Sequence, residues 1–118
     1  MTARSQEYIL TSRELLAKAE EALAQEDLLQ ASEKGWEAAA YMVKAIAQRR
    51  GWRHSGHREL FQVVNRLAQE TDDRELRTLF NVADALHGNF YENWRPKEFV
   101  EDGLERIREF LQKLERLL

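Results

Sequence analysis

The chain has 118 residues, a formal net charge of -3, no cysteine and a single proline. That length suits one domain over residues 1–118, burying roughly 65% of its unfolded surface, and the missing cysteines rule out a disulfide framework or thiolate chemistry. No apolar run approaches the about 18 residues of a membrane span, and the acidic balance argues against bulk coating of nucleic acid.

The first helix is expected from about Ala3 to Gln25, with Ile9, Leu15, Leu16, Ala19, Ala22 and Leu23 as its apolar stripe. The opening MTARSQEYILTSRELL lacks the apolar centre and small-residue cleavage site of a signal peptide, so a cytoplasmic protein is expected. A connection over Gln25–Asp27 makes the first two helices antiparallel neighbours. Asp27 with Gln30 offers a capping box for a second helix from Leu28, and Gly51 ends it after Arg49 and Arg50. Ala31, Gly35, Ala38, Ala39 and Met42 make one face of low bulk; Trp36, Ala40, Val43 and Ala47 make another. A helix apolar on two sides belongs in the middle of a bundle.

Ser55 is the expected cap of a third helix, from about His57 to Glu70. Asp72 with Glu75 caps a fourth, from about Asp73 to His87, whose buried stripe is Leu76, Leu79, Phe80, Ala83 and Leu86. Gly88 is read as its stop and Asn89–Arg95 as an aromatic linker. Pro96 then opens a last helix carrying Phe99, Val100, Leu104, Ile107, Phe110, Leu111, Leu114, Leu117 and Leu118. The fold class is therefore all-α: an up-and-down antiparallel helical bundle of four to five helices. The apolar last helix and the aromatics near chain breaks point to a homodimer.

Two stretches could carry chemistry. Between Ala38 and Arg58 there is no acid, while Lys44, Arg49, Arg50, Arg53 and Arg58 are basic and His54 and His57 sit among them. Such a patch can hold phosphate; it can equally be a solvated helix end whose arginines pair with acids elsewhere. The second stretch, Leu86 to Trp94, sets His87, Asn89, Tyr91, Glu92 and Asn93 around the expected break. Its rings could stack on a base, or they could plug the bundle while the amides cap helix ends. His54 and His57 do not make a metal signature, since no carboxylate accompanies them in the turn. No Gly-rich phosphate loop or serine nucleophile elbow is present, and no cofactor is expected.

ASEKGWEAAAYMVKAIA, RGWRHSGHREL and ADALHGNFYENW together resemble the HEPN superfamily, most closely its small PaREP-type branch, from about Leu16 to the end of the last helix. The resemblance implies an all-α bundle that often dimerises and associates with nucleotides or RNA. Some members look like substrate-binding partners of minimal nucleotidyltransferases; many are metal-independent RNases, often toxins. The RNase branch carries an Arg, four to six residues, then a His at the start of a late helix. Here His87 stands near the Arg position, and Tyr91, Glu92 or Asn93 near that of the His. Arg49 and His54 satisfy the spacing only across the turn after the second helix.

The expected function is thus a HEPN-like nucleotide- or RNA-binding protein, in the manner of a nucleotidyltransferase's substrate-binding partner, without the usual RNase motif. Its ligand contacts would come from Arg50, Arg53, His54, His57, Arg58, Asn89 and Trp94. The alternative is a metal-independent endoribonuclease toxin with a variant site, in which His87 transfers a proton and Tyr91 or Asn93 positions the phosphate.

Overall fold

In the computed structural model, residues 3–118 are described and form five helices: α1 (Ala3–Ala24), α2 (Leu28–Arg50), α3 (His57–Thr71), α4 (Glu75–Glu92) and α5 (Lys97–Glu115). The chain is an all-α helical bundle with a radius of gyration of 13.5 Å. No helix among the described residues is long and apolar enough to cross a membrane.

Helix α2 is central, packing against all four others. Its start and end follow the sequence signals. The Gln30 amide donates to Asp27 Oδ1 at 3.1 Å, and Gly51 adopts φ 71°, which lets Trp52 N donate back to Ala47 O at 2.9 Å. Both expected apolar faces are buried: Ala31, Gly35, Trp36, Ala38, Ala39, Ala40, Met42, Val43 and Ala47.

The surface that meets the small face is partly polar. Ser5 and Ser12 of α1 are fully buried, although neither belongs to the apolar stripe of that helix. Ser12 Oγ donates to Ala38 O at 2.6 Å and Ser5 Oγ to Ala45 O at 3.2 Å. These two pairs fix an antiparallel register in which Ala19 falls opposite Ala31, also both fully buried. Hydrogen bonds to α2 carbonyls are what make the hydroxyls tolerable in the core.

On the other side of α2, Gly35 admits α5. A Cβ on Gly35 would lie 2.6 Å from Leu104 Cδ2 and 3.4 Å from Leu86 Cδ1. Gly103 of α5 plays the reciprocal part, where a Cβ would come within 3.0 Å of Leu86 Cδ2. The core then runs through Phe80, Phe110, Met42, Ile46 and Leu67.

Four local expectations are corrected. Gly88 is not a stop: α4 continues to Glu92, because Leu86 and Asn89 keep burying its inner face past the glycine. The helix ends instead at Asn93, which takes φ 52° and donates its N–H to Asn89 O. The N-cap of α3 is Gly56; Ser55, one residue earlier, donates both its N–H and its Oγ–H to Glu59 Oε1, at 2.8 and 2.7 Å. Asp72 closes α3 with φ 51°, and it is Asp73 Oδ1 that accepts from Glu75 N at 3.2 Å. Finally, Leu117 and Leu118 lie beyond the end of α5; Phe99 is on that helix as expected, though 60% exposed.

Two glycines in the same bundle should respond oppositely. Gly35→Leu overpacks a close helix contact and should lower stability by about 1–3 kcal/mol or more. A methyl group added at Gly88 would meet nothing within 4 Å, so Gly88→Ala should raise the melting temperature by a few degrees through helix propensity alone. Thermal melts of the two variants check both; a Gly35→Leu melt equal to that of the parent would refute the packing.

Candidate functional site

Helix α2 buries its two apolar faces, while Glu33, Glu37, Tyr41 and Lys44 follow at helical spacing along a partly exposed stripe. With Trp36, Ala40, Ser55, Gly56, His57 and Leu60 they line a groove of about 240 Å³ between α2 and the start of α3. At its end stands a ring cluster. His57 stacks on Trp36 with centroids 4.7 Å apart and planes at 14°. His87 of α4 leans on the same indole at 5.0 Å, and the two imidazoles are 5.1 Å apart. His87 Nδ1 lies 2.8 Å from Glu33 Oε1, both side chains 20% exposed. Tyr91, one turn after His87, meets it edge-on at 5.3 Å.

Chemically this is a pair of imidazoles on an indole floor, one held in orientation by a carboxylate. A carboxylate on one ring nitrogen fixes which tautomer the other nitrogen presents. His57 is exposed and His87 partly buried, so the pair borders the groove. Glu37 adds an acceptor: its Oε1 is shielded from solvent without a hydrogen bond, with Lys34 Nζ 3.5 Å away. Among the described residues no group of three or more His, Asp or Glu side chains is arranged to hold a metal ion.

His57 and His87 belong to separate stretches of the sequence, and the fold brings them together. Glu33, Trp36 and Glu37 are site residues that sequence reasoning does not single out. The available signal is the recurrence of Glu33, Glu37 and Lys44 at helical spacing on an alanine-rich helix.

The remaining candidates disperse. Arg50 pairs with Glu70 at 2.5 Å and packs on the Trp52 ring, while Arg49 Nε donates to Ser5 Oγ. Arg53 and Arg58 are exposed and make no ion pair with the described residues. His54 turns toward Tyr8, with Nε2 3.0 Å from Gln48 Oε1. Burial pushes its pKa down, and Lys44 and Arg4 add repulsion, so His54 is a poor cation for phosphate. The basic turn is therefore several separate environments rather than one patch.

Asn89, read as a ligand contact, is only 1% exposed. Its Nδ2 donates to Ser32 Oγ at 3.0 Å, and its Oδ1 accepts from Trp94 N at 3.0 Å and Arg95 N at 2.9 Å. It staples the turn after α4 to α2, which is the fold's own use of its amide. Asn93 serves to end α4, as the capping alternative has it. Trp94 and Tyr91, each 69% exposed, do not plug the bundle; Trp94 lines a surface notch with Arg95, Pro96 and Phe99.

The sequence pattern of the archaeal PaREP1/PaREP8 family matches residues 7–111. A crystal structure of a protein from Sulfolobus solfataricus is similar in fold, with a TM-score of 0.75 and 22% sequence identity, covering 90% of this chain and 94% of that one. No curated protein matches the chain.

Asn89→Ala would strand Ser32 and two backbone N–H groups that Oδ1 now satisfies. It should cost about 1–3 kcal/mol, read as an earlier chemical denaturation midpoint. An unchanged midpoint would mean that the amide is not a structural staple.

Proposed function

The chain belongs to the archaeal PaREP1/PaREP8 family, and on that premise we propose that it is a HEPN-like protein that binds a nucleotide or a short stretch of RNA in the groove between α2 and α3. The observation that carries this reading is the convergence of His57 and His87 on Trp36, with Glu33 orienting one imidazole. Rings at such a site stack on bases, and Lys44 together with the imidazoles supplies donors for a phosphate. Glu37 Oε1 suits an amino group on the edge of a base. By the same resemblance, the enzyme such a binding subunit serves would be a minimal nucleotidyltransferase.

A second reading, a metal-independent endoribonuclease, is favoured by one fact: the two imidazoles are 5.1 Å apart at their centroids. One could take the proton of a ribose 2′-hydroxyl while the other protonates the leaving oxygen, each step worth about 10²–10⁴-fold. Against it, no guanidinium stands in the cluster to hold the charge that builds on the phosphate, a deficit that typically costs a few kcal/mol of barrier. Binding without turnover is accordingly the leading form of the proposal.

A homodimer fits the corner between α4 and α5. Trp94 and Phe99 are 69% and 60% exposed there, and Arg95 Nε is shielded without a hydrogen-bond acceptor. Two large rings left open side by side suit burial against a second copy.

Fluorescence anisotropy of a labelled unstructured RNA should register binding at low salt that weakens in His57→Ala and Lys44→Ala. The same RNA, incubated for hours with and without Mg²⁺, should stay uncut. No binding at low salt would defeat the proposal; cleavage that disappears in His87→Ala would put the endoribonuclease reading in its place.

Sedimentation of the parent protein should give a dimer at tens of micromolar, and Trp94→Asp with Phe99→Asp should give a folded monomer. A monomeric parent at high micromolar concentration would remove the interface.

A further inference from the structure

A separate site lies across α3 from the imidazoles. Gly51, Trp52, Arg53, Glu59, Gln62, Val63 and Arg66 surround a cleft of about 300 Å³, at the lower end of the usual size for small-molecule sites. Successive helical residues turn by about 100°, so Glu59, Gln62 and Arg66 fall on the flank of α3 opposite His57.

The cleft is organised around a stack. The Arg66 guanidinium lies 4.1 Å from the centroid of the Trp52 ring, and Arg50 approaches the same ring at 5.1 Å. Glu70 draws both arginines, at 3.7 Å from Arg66 Nε and 2.5 Å from Arg50 Nη1. Glu59 is occupied by Ser55, whose two hydrogen bonds to it hold its carboxyl below the usual carboxylate range and brace the turn that carries Trp52 and Arg53. That leaves Arg53 as a cation outside any ion pair among the described residues, Gln62 as an exposed amide, and Arg66 with 59% of its side chain open.

We infer that this cleft binds a nucleobase carrying a phosphate, the base stacked on the Arg66–Trp52 pair and the phosphate on Arg53. A planar guanidinium lying over an indole can offer its outer face, and unpaired bases stack on such planes irrespective of their identity. Arg53, one residue from the indole, is placed for the phosphate of the same nucleotide, with Gln62 offering either a donor or an acceptor to the base edge. This assignment rests on the RNA-binding reading and gives it a second contact point. The two sites flank one helix, whose diameter is about 10–12 Å with side chains, so one short single strand could reach both around the Ser55–Gly56 turn.

The test uses the full chain at low salt, with adenosine 5′-monophosphate, adenosine, inorganic phosphate and an unstructured RNA hexamer as probes. The mononucleotide should quench tryptophan fluorescence, and Trp52→Phe should remove the part of the change that Arg66→Ala also removes, while Trp94→Phe leaves it. Arg66→Ala and Arg53→Ala should each weaken mononucleotide binding about tenfold. Arg66→Lys, which keeps the charge and loses the flat face, should behave like Arg66→Ala. Tighter binding of the hexamer than of the mononucleotide, lost in both Arg66→Ala and His57→Ala, identifies RNA as the source; equal binding of the two identifies a free nucleotide. Mononucleotide binding unaltered in Arg66→Ala and Arg53→Ala overturns the site, as does inorganic phosphate competing as well as the mononucleotide. If hexamer binding falls in His57→Ala and not in Arg66→Ala, the cleft fails and the imidazole groove stands. The reverse result removes the groove and keeps the cleft.

Discussion

The structure depends on two buried hydroxyls. Ser5 and Ser12 donate to the carbonyls of Ala45 and Ala38, each bond crossing from α1 to α2. A hydroxyl left unpaired at those depths would cost about 1–3 kcal/mol, so any slide of one helix along the other is penalised twice. Because the facing residues are serine and alanine, the backbones come close enough for the bonds to form. Polar contacts of this kind fix register where an all-alanine seam would leave it loose.

With that seam occupied by α1, and the Gly35 side occupied by α5, the middle of α2 keeps a partly open stripe. It is the stripe that carries Glu33, Trp36, Glu37, Tyr41 and Lys44. The site is where α2 has run out of neighbours. Trp36 shows the consequence: at 5% exposure it is covered, yet much of the cover is imidazole rather than aliphatic side chain. An indole floor holds both rings while leaving their nitrogens free of the core's demand for apolar partners. Asn89 completes the arrangement from the other end, tying the turn after α4 to Ser32, the residue just before Glu33.

Helix number, the central place of α2 and its caps are legible in the sequence because each rests on a local signal: periodicity, Asp27 with Gln30, and Gly51. Gly88 misleads because a glycine inside a helix and a glycine ending one look alike until it is known which later residues are buried. Leu86 and Asn89 on its two sides decide the matter, and Asn89 is polar, so no apolar pattern announces it. Ser5 and Ser12 are hidden for the same reason. The imidazole cluster is half legible. His57 and His87 stand out singly, but their meeting on Trp36 is a tertiary fact, and Glu33 gains its part only from that meeting. The basic turn is legible as composition and misleading as a surface, since spacing along a turn does not say which arginine faces Glu70, Ser5 or Trp52.

The division of charge across α3 bears on the choice between binding and catalysis. The imidazoles of His57 and His87 collect on one flank of α3, and the guanidiniums of Arg53 and Arg66 collect on the other. Catalysis of phosphodiester cleavage wants the two kinds of group within reach of one phosphate, because a charge that steadies the transition state falls off steeply with distance and with intervening solvent. Helix α3 keeps both of these guanidiniums from the imidazoles and leaves Lys44 as the cation that lines their groove. Binding has no such requirement: imidazoles, indoles and guanidiniums spread over two clefts can each hold a different nucleotide of one strand, and their contributions accumulate through the linkage between them. On the proposed reading, residues separated by α3 favour holding a short strand over cutting it, and the packing of α3 against α2 and α4 enforces the separation.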